Sequence, residues 1–232
     1  MTETDTIDAQ LLDLMLRAGS RWILWLLILL SLAAVAVMIE RVWFFLQERP
    51  PAGRLAATLH AMRDGNPALA LSKLAGARSM EAAVVRTCLQ HAGDGASAVE
   101  DHKAAAIETE RLRYEKRLAF LGTLGNNAPF VGLFGTVLGI IRAFHDLAGS
   151  AMQGQGTQAV MSGIAEALVA TGVGLLVALP SVAMYNVLIR HVETATAGAE
   201  AASREIIAYI KTPPAAAASG RAPGPGPGME VA

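Results

Sequence analysis

Three stretches of this 232-residue chain carry no charged side chain, and they constrain its fold more than any other feature. They cover residues 22–39, 118–141 and 167–189, with 18, 24 and 23 residues respectively. At about 1.5 Å per residue, a helix of 18 residues is roughly 27 Å long, close to the thickness of a bilayer's hydrocarbon core. Because backbone polar groups in lipid must be satisfied within the segment, each stretch predicts a membrane-spanning helix.

Two other interpretations fit these stretches less well. Buried core helices rarely contain so many uncharged residues in a row, and only 17% of the chain is charged, against roughly 25% in soluble domains. A cleaved signal peptide would begin with a basic segment, whereas the residues before the first stretch include Glu3, Asp5, Asp8 and Asp13. We therefore expect a retained helix in the lipid bilayer. The net charge of −1 gives no electrostatic case for a nucleic-acid partner.

The distribution of lysine and arginine predicts the orientation of the chain. Residues 40–117 contain twelve basic residues and the segment after the third stretch contains four. Between the second and third stretches only Arg142 is basic. Because basic residues concentrate in cytoplasmic loops, we expect the long connection and the C-terminus in the cytoplasm, and the N-terminus outside.

These patterns predict an all-α membrane protein with three transmembrane helices and a helical cytoplasmic domain, into which helices two and three extend. The predicted segments are an amphipathic N-terminal helix outside the membrane (1–21), transmembrane helix one (22–45), the cytoplasmic helical domain (46–117), transmembrane helix two (118–144), a short outer connection (145–165), transmembrane helix three (166–190), a cytoplasmic helix (191–211) and a disordered tail (212–232). A frayed segment is the alternative for residues 1–21.

Glycine and proline predict where the cytoplasmic helices end. Breaks are expected at residues 64–67 and 93–95, which read Asp-Gly-Asn-Pro and Gly-Asp-Gly. From Ser97 onward no breaker precedes the second uncharged stretch. The pattern therefore predicts one rod of about 45 residues, roughly 68 Å long, running from the cytoplasm across the bilayer.

The chain offers few residues for enzymatic or metal chemistry. Cys88 is its only cysteine, which rules out an intrachain disulfide and predicts a small buried apolar side chain. The five histidines show no metal-ligand spacing along the sequence. Phosphate-binding loops, nucleophile motifs and paired catalytic carboxylates are also lacking. We therefore expect a protein that is not an enzyme and has no resident metal or cofactor.

Small residues recur every three or four positions along one face of the second and third stretches. The positions are Gly125, Pro129, Gly132, Thr136, Gly139 and Ala143 in the second, and Gly163, Ala167, Thr171, Gly174, Ala178 and Ser181 in the third, with Gly135 and Gly139 as a small-xxx-small pair. Such stripes let helices approach closely in lipid. We expect packing through Pro129, Gly132, Gly135, Gly139, Gly174, Ala178 and Pro180. A narrow passage lined by the same stripes in several copies of the chain is the alternative.

Three polar residues accompany these stripes. Thr136 and Thr171 each lie near the middle of a predicted span, where a hydroxyl often bonds only the carbonyl one turn earlier. Glu166 precedes the third stretch, about 36 Å from Arg190 along an ideal helix, which places it near the outer interface. A carboxylate there is also what a helix N-terminus favours.

The two helices carry long motifs that resemble the MotA/TolQ/ExbB proton channel family, with the closest similarity to its ExbB and TolQ branch. Residues 127–140 read Asn-Ala-Pro-Phe-Val-Gly-Leu-Phe-Gly-Thr-Val-Leu-Gly-Ile. Residues 163–175 read Gly-Ile-Ala-Glu-Ala-Leu-Val-Ala-Thr-Gly-Val-Gly-Leu, and 179–186 read Leu-Pro-Ser-Val-Ala-Met-Tyr-Asn. The resemblance covers roughly residues 100–192, and the first span by position and orientation only. The chain departs from the family pattern at Asn126 and Asn127 and in its tail.

The resemblance implies a multi-pass protein of the bacterial inner membrane, with a periplasmic N-terminus and a cytoplasmic C-terminus. It implies a homopentamer around a dimer of ExbD- or TolR-like single-span proteins, which acts through a TonB- or TolA-like protein. Thr136 and Thr171 align with the family's pore threonines, and Glu166 aligns with its third-helix glutamate. The implied function is that of a proton-channel and stator subunit that transmits the proton-motive force to the cell envelope, for transport or envelope integrity.

The residues themselves add one constraint. A proton pathway needs titratable groups along its length, and the three uncharged stretches contain no Asp, Glu or His. A carboxylate must therefore come from a partner, with Thr136 and Thr171 offering hydroxyls to it and to water. Two alternatives stay open: a gliding-motility stator of the same family, and a non-conducting membrane scaffold whose stripes only pack.

Overall fold

The computed structural model describes residues 21–48, 52–150 and 156–211, and within these ranges the chain is helical without a strand. The helices are α1 (Arg21–Gln47), α2 (Ala52–Arg63), α3 (Pro67–Lys73), α4 (Met80–Gln90), a short 3-10 helix (Ala92–Asp94), α5 (Ala96–Glu115), α6 (Leu118–Ser150) and α7 (Gly156–Lys211). The predicted all-α class is confirmed. The predicted N-terminal helix, apart from Arg21, and the predicted tail lie outside the described residues.

Three of these helices are long and apolar enough to cross a membrane, namely α1, α6 and α7. They contain the three uncharged stretches, as predicted. The second and third helices extend beyond the predicted spans, because α6 continues to Ser150 and α7 begins at Gly156. Both ends therefore extend into the connection predicted for residues 145–165.

The chain divides into two compact units. The first, here called the transmembrane unit, comprises Met1–Trp43 and Lys116–Ile189. The second, here called the helical unit, comprises Phe44–Glu115 and Arg190–Ala232.

In the transmembrane unit, α1 contributes an apolar buried edge. Ile23 and Leu27 are completely buried and Ala34 almost so. A methyl group built on Gly135 of α6 would lie 3.2 Å from Cγ2 of Ile23, so α1 packs against α6 at this level. The charged residues of α1 lie near its two ends, at Arg21 and at Glu40 and Arg41, where Arg41 is buried and pairs with Glu40.

The transition from α5 to α6 differs from the predicted continuous rod. Lys116 and Arg117 form a turn, and Arg117 adopts a left-handed backbone with φ of 66°. A non-glycine residue in this conformation cannot continue a right-handed helix and costs about 1–2 kcal/mol. The guanidinium of Arg117 lies 2.9 Å from a carboxylate oxygen of Glu40, a contact that favours this local geometry. Neither glycine nor proline marks the break, which is why the sequence pattern did not indicate it.

In the helical unit, the two predicted breaks are confirmed and a third is found. Gly65 and Gly95 have φ of 70° and 95°, and Asn66 caps α3 by accepting a hydrogen bond from the Leu69 amide. The additional break follows α3, where Gly76 has φ of 74°. Ser79 then caps α4.

The core of the helical unit is built from apolar residues of α4, α5 and the end of α7. Its completely buried members include Met80, Val84, Val85, Val99 and Ile206. Cys88 is a free thiol and is buried, as predicted. Burial raises the pKa of this thiol above its ordinary value, so Cys88 is protected both by the core and by protonation.

Candidate functional site

Helices α6 and α7 meet at glycines in the middle of the transmembrane unit. A methyl group built on Gly132 would lie 2.8 Å from the carbonyl oxygen of Ala170. One built on Gly174 would lie 2.7 Å from the carbonyl oxygen of Ala128 and 3.1 Å from Cα of Gly132. The two backbones are thus in direct contact here, and no larger residue fits without displacing them.

The same close packing continues toward the C-terminal end of α6 and the N-terminal end of α7. Methyl groups on Gly139 and Gly163 would lie 2.6 Å from Cβ of Ala167 and 2.8 Å from Cβ of Ala143. The two small-residue stripes therefore pack against each other within one chain. Both stripes thus take part in packing inside one chain, while a passage lined by several copies stays a prediction.

The other predicted packing residues behave differently from one another. Gly135 meets Ala170, and Ala178 is buried. Pro129 and Pro180 lie inside α6 and α7, half-buried and exposed respectively. Pro180 is thus exposed in the single chain, and its predicted packing role stays a prediction.

Thr136 is buried and its hydroxyl is already occupied. Its Oγ1 donates a hydrogen bond of 2.6 Å to the carbonyl oxygen of Leu133, the local bond expected for a helical threonine. It lies between two interhelical contacts, one turn from Gly132 and one turn from Gly139. The hydroxyl oxygen of Thr136 can still accept a hydrogen bond from another group.

Thr171 lies on the same interface, but its hydroxyl differs from that of Thr136 in its hydrogen bonding. Its Cα would be 3.0 Å from a methyl group on Gly132, where the backbones of the two helices are in contact. Its Oγ1 is buried and has no hydrogen-bond partner among the residues that the structure describes. Such a group costs about 1–3 kcal/mol if it stays unpaired. The hydroxyl is therefore free to donate to, and accept from, a group outside this chain.

Glu166 lies apart from the two threonines, one and a half turns from Thr171 along α7. It is half-exposed and its Oε1 is 3.6 Å from Nε of Arg21 at the start of α1. An ion pair this exposed contributes little to stability. The structure thus brings Thr136 and Thr171 to one interface, while Glu166 is placed beside α1.

The outward faces of α6 and α7 are strongly apolar. The most exposed side chains on these faces include Phe130, Leu133, Leu168, Leu176 and Leu179. An apolar surface of this size on two long helices is typical of contact with lipid or with another membrane chain.

Comparison with known protein families identifies the chain. Residues 57–201 match the MotA/TolQ/ExbB proton channel family. The chain belongs to this family. The matched region includes the α6–α7 interface with Thr136, Thr171 and Glu166. Together with the three long apolar helices, family membership makes the chain a multi-pass protein of the bacterial inner membrane.

The relatives in this family belong to its ExbB and TolQ branch. An ExbB-like biopolymer transport protein of Helicobacter pylori is 52% identical over 82 residues, 35% of this chain and 53% of the relative. The Tol-Pal system protein TolQ of Pseudomonas aeruginosa is 48% identical over 81 residues, 35% of this chain and 34% of the relative. The biopolymer transport protein ExbB of Aquifex aeolicus is 44% identical over 94 residues, 40% of this chain and 61% of the relative. The chain thus spans about a third to three fifths of the length of these relatives.

The helical unit of this family member contains a buried charged cluster that sequence reasoning missed. The Glu48 carboxylate is almost fully buried and accepts bonds of 2.9 and 3.4 Å from the Arg113 guanidinium. Tyr114 is buried beside it and accepts a 3.0 Å bond from the Met80 amide. Burial raises the pKa of the Tyr114 phenol well above its ordinary value, so it stays a donor for Glu48, 3.4 Å away.

No local signal marks this cluster, since Glu48 and Arg113 are 65 residues apart. The cluster also borders a cleft of about 470 Å³ lined by Arg78, Arg86 and Glu110. Arg113 also donates a hydrogen bond to the carbonyl oxygen of Arg78 and forms an ion pair with Glu110, 2.8 Å away. We assign this cluster a role in stabilising the helical unit.

Proposed function

We propose that this chain is the ring-forming channel and stator subunit of a motor driven by the proton-motive force, of ExbB/TolQ type. The observation that carries the proposal is the buried hydroxyl of Thr171, which has no hydrogen-bond partner within the described part of the chain and lies beside the backbone contact of α7 with Gly132. Membership of a proton channel family supports the same conclusion.

The chain supplies hydroxyls for a proton pathway and the partner supplies the titratable group. The uncharged stretches of all three spanning helices lack Asp, Glu and His, and a proton relay requires such groups. The Thr171 hydroxyl would donate a hydrogen bond to a carboxylate that a neighbouring membrane helix places at the α6–α7 interface. Thr136 would accept a bond from the protonated form or from water, because its own proton is committed to Leu133.

The partner in this proposal is a dimer of single-span proteins of ExbD or TolR type, enclosed by a homopentamer of this chain. The exposed apolar faces of α6 and α7 supply surface both for neighbouring copies and for lipid. With the N-terminus in the periplasm and the C-terminus in the cytoplasm, Glu166 lies at the periplasmic end of the pathway. A TonB- or TolA-like protein would carry the movement of the partner to the envelope.

The energy available sets the scale of the mechanism. One elementary charge that crosses 100 mV releases about 2.3 kcal/mol. Mechanical work on the envelope therefore requires several protons for each stroke. A repeated transfer through the same carboxylate meets this requirement, whereas a single conformational event does not.

Proton flux in liposomes tests the proposal. The chain is reconstituted with and without its co-purified single-span partner, and the flux driven by an imposed potential is recorded. We expect flux only with the partner, its loss in Thr171→Val and Thr136→Val, and its retention in Thr171→Ser, which keeps the hydroxyl. Thr123→Val is the matched control, because Thr123 is exposed on the same helix as Thr136.

Ring assembly, measured by size-exclusion chromatography with light scattering, must be unchanged in these variants. Wild-type flux in Thr171→Val would remove Thr171 from the mechanism.

A non-conducting membrane scaffold is the second candidate, and one observation favours it. The small-residue stripes are already used for packing within the chain, so they give no independent indication of a passage. If the complex with its partner shows neither flux nor any change on protonation, the scaffold interpretation is preferred.

A further inference from the structure

Two histidines and an aspartate converge on the surface of the helical unit. Nδ1 of His91 lies 2.8 Å from Oδ2 of Asp94. The rings of His91 and His102 stack, with centroids 3.7 Å apart and an angle of 16° between their planes. One ligand atom from each of the three residues lies within 4.8 Å of the others. His91 is half-buried, and Asp94 and His102 are exposed.

Local backbone geometry explains this convergence. His91 ends α4, and the 3-10 helix that follows places residues three apart directly above one another, which brings Asp94 under His91. Gly95, with φ of 95°, then reverses the chain. In α5, which begins at Ala96, the second turn returns His102 to the same corner.

The three groups match the ligand preference of borderline divalent metals. Neutral imidazole nitrogens and a carboxylate oxygen bind Zn²⁺, with Zn–N near 2.0–2.1 Å. Mg²⁺ and Ca²⁺ prefer oxygen ligands alone, so two histidines disfavour them. Ligation requires the His102 ring to rotate out of its stack on His91, because two nearly parallel rings cannot both point a nitrogen lone pair at one ion. Asp94 and His102 are exposed, which leaves room for this change of rotamer.

We propose that His91, Asp94 and His102 form a surface site for a divalent transition-metal ion of the Zn²⁺ class, with water completing the coordination. The ion joins the end of α4 to the second turn of α5. The spacing of the histidines along the sequence favours no metal site, and the site arises because one ligand comes from the next helix. The proposal is independent of the proton pathway, since all three residues belong to the helical unit.

Zn²⁺ titration of the full chain tests this site. The protein is purified in detergent without a polyhistidine tag, and Zn²⁺ is titrated in competition with a chromophoric chelator. We expect one ion per chain with micromolar affinity, weakened at least tenfold in His102→Gln. His60→Gln is the matched control, an exposed histidine of α2 outside the cluster. Cys88→Ala controls for binding through the thiol, and we expect both controls to keep the wild-type affinity.

A second measurement separates binding from damage to the fold. Zn²⁺ is expected to raise the unfolding midpoint of the wild-type chain by a few degrees and that of His102→Gln by none, because the ion binds only the folded corner. Without metal, both proteins must unfold at the same temperature. Equal Zn²⁺ affinity in wild type and His102→Gln overturns the proposal. A wild-type affinity no tighter than millimolar also overturns it. In either case the three residues form only a surface contact between His91 and Asp94 with the His102 ring stacked on it.

Discussion

The transmembrane unit and the helical unit are stabilised by opposite means. In the transmembrane unit, α6 and α7 approach through residues that have almost no side chain, such as Gly132 and Gly174. In the helical unit, large side chains fill the core and charged ones such as Glu48 and Arg113 bond across it. The difference follows from the solvent. In water, burial of apolar side chains drives packing. In lipid this driving force is missing, so helices associate through close backbone contact.

The chain contains a natural probe for each unit. All three tryptophans, Trp22, Trp25 and Trp43, lie in the part of α1 that belongs to the transmembrane unit. The only cysteine, Cys88, is buried in the helical unit. Tryptophan fluorescence and thiol labelling therefore report on the two units separately in the same sample.

The largest effect is expected from Arg113→Ala in the helical unit. Removing the guanidinium leaves the buried carboxylate of Glu48 without its ion-pair partner, which costs about 2–3 kcal/mol, less than for a fully buried pair because Arg113 is partly exposed. We expect thiol labelling of Cys88 to accelerate about 30- to 150-fold, with little change in tryptophan fluorescence.

Arg111→Ala is the matched control for this variant. It removes an exposed ion pair with Glu115 on the same helix, 2.7 Å apart, and should change the free energy of unfolding by less than about 0.5 kcal/mol. If the two variants label at the same rate, the charged cluster contributes no stability and the contrast between the units is wrong.

A slightly smaller effect is expected from Gly174→Ala in the transmembrane unit. The added methyl group would meet backbone atoms of Ala128 and Gly132, and such overpacking costs about 1–3 kcal/mol. The midpoint of thermal unfolding followed by tryptophan fluorescence should fall, while labelling of Cys88 stays unchanged. Gly172→Ala, two residues away, meets no atom within 4 Å and should be neutral or stabilising. Equal effects of the two variants would argue against backbone packing.

Hydroxyls in the transmembrane unit should contribute less still. Thr136→Val removes a bond to the Leu133 carbonyl and should cost about 0.5–1 kcal/mol. Thr171→Val removes an unpaired buried hydroxyl, within the part of the chain described, and should be neutral or stabilising in the isolated chain. Fluorescence-detected unfolding of both variants provides the comparison. A greater loss in Thr171→Val would mean that this hydroxyl has a partner inside the chain.

The smallest effect is expected from the exposed ion pair of Glu100 and Lys211 in the helical unit, 2.8 Å apart. The bond from Lys211 lowers the pKa of Glu100 below its ordinary value. A pKa lowered by folding gives stability that is present at neutral pH and lost as the pH falls below about 4.3, the ordinary glutamate value. Cys88 labelling with a pyridyl disulfide should therefore differ slightly between wild type and Glu100→Gln at pH 7 and not at pH 3. A difference that grows on acidification would contradict this assignment.

Periodicity and composition were sufficient to predict the spanning helices and the face through which two of them pack. The uncharged stretches require helices in lipid, and the recurrence of small residues identifies the shared face of α6 and α7. The sequence alone could not show whether that face packs against another helix of the same chain or lines a passage. In the structure, Gly132 and Gly174 bring α6 and α7 into direct backbone contact through this face, while a passage between several copies stays a prediction.

The remaining features depend on neighbours that are distant in sequence. The turn at Arg117 lacks both glycine and proline, and its compensating contact comes from Glu40. Likewise the partner of Glu48 lies in α5, and the convergence of His91 with His102 depends on a reversal at Gly95. No local pattern encodes these pairings, because each partner lies in a different helix.

The direct contact of backbones at Gly132 and Gly174 has a consequence for conformational entropy. Glycine has no rotamers, so forming this part of the interface freezes no side-chain motion. At Gly132 and Gly174 the contact is between backbones, so no side chain has to disengage at this level before one helix shifts along the other. A small displacement of α7 past α6 therefore meets a lower barrier than it would between helices held by interlocking leucines. Larger residues at these positions would remove that mobility even where they could be accommodated.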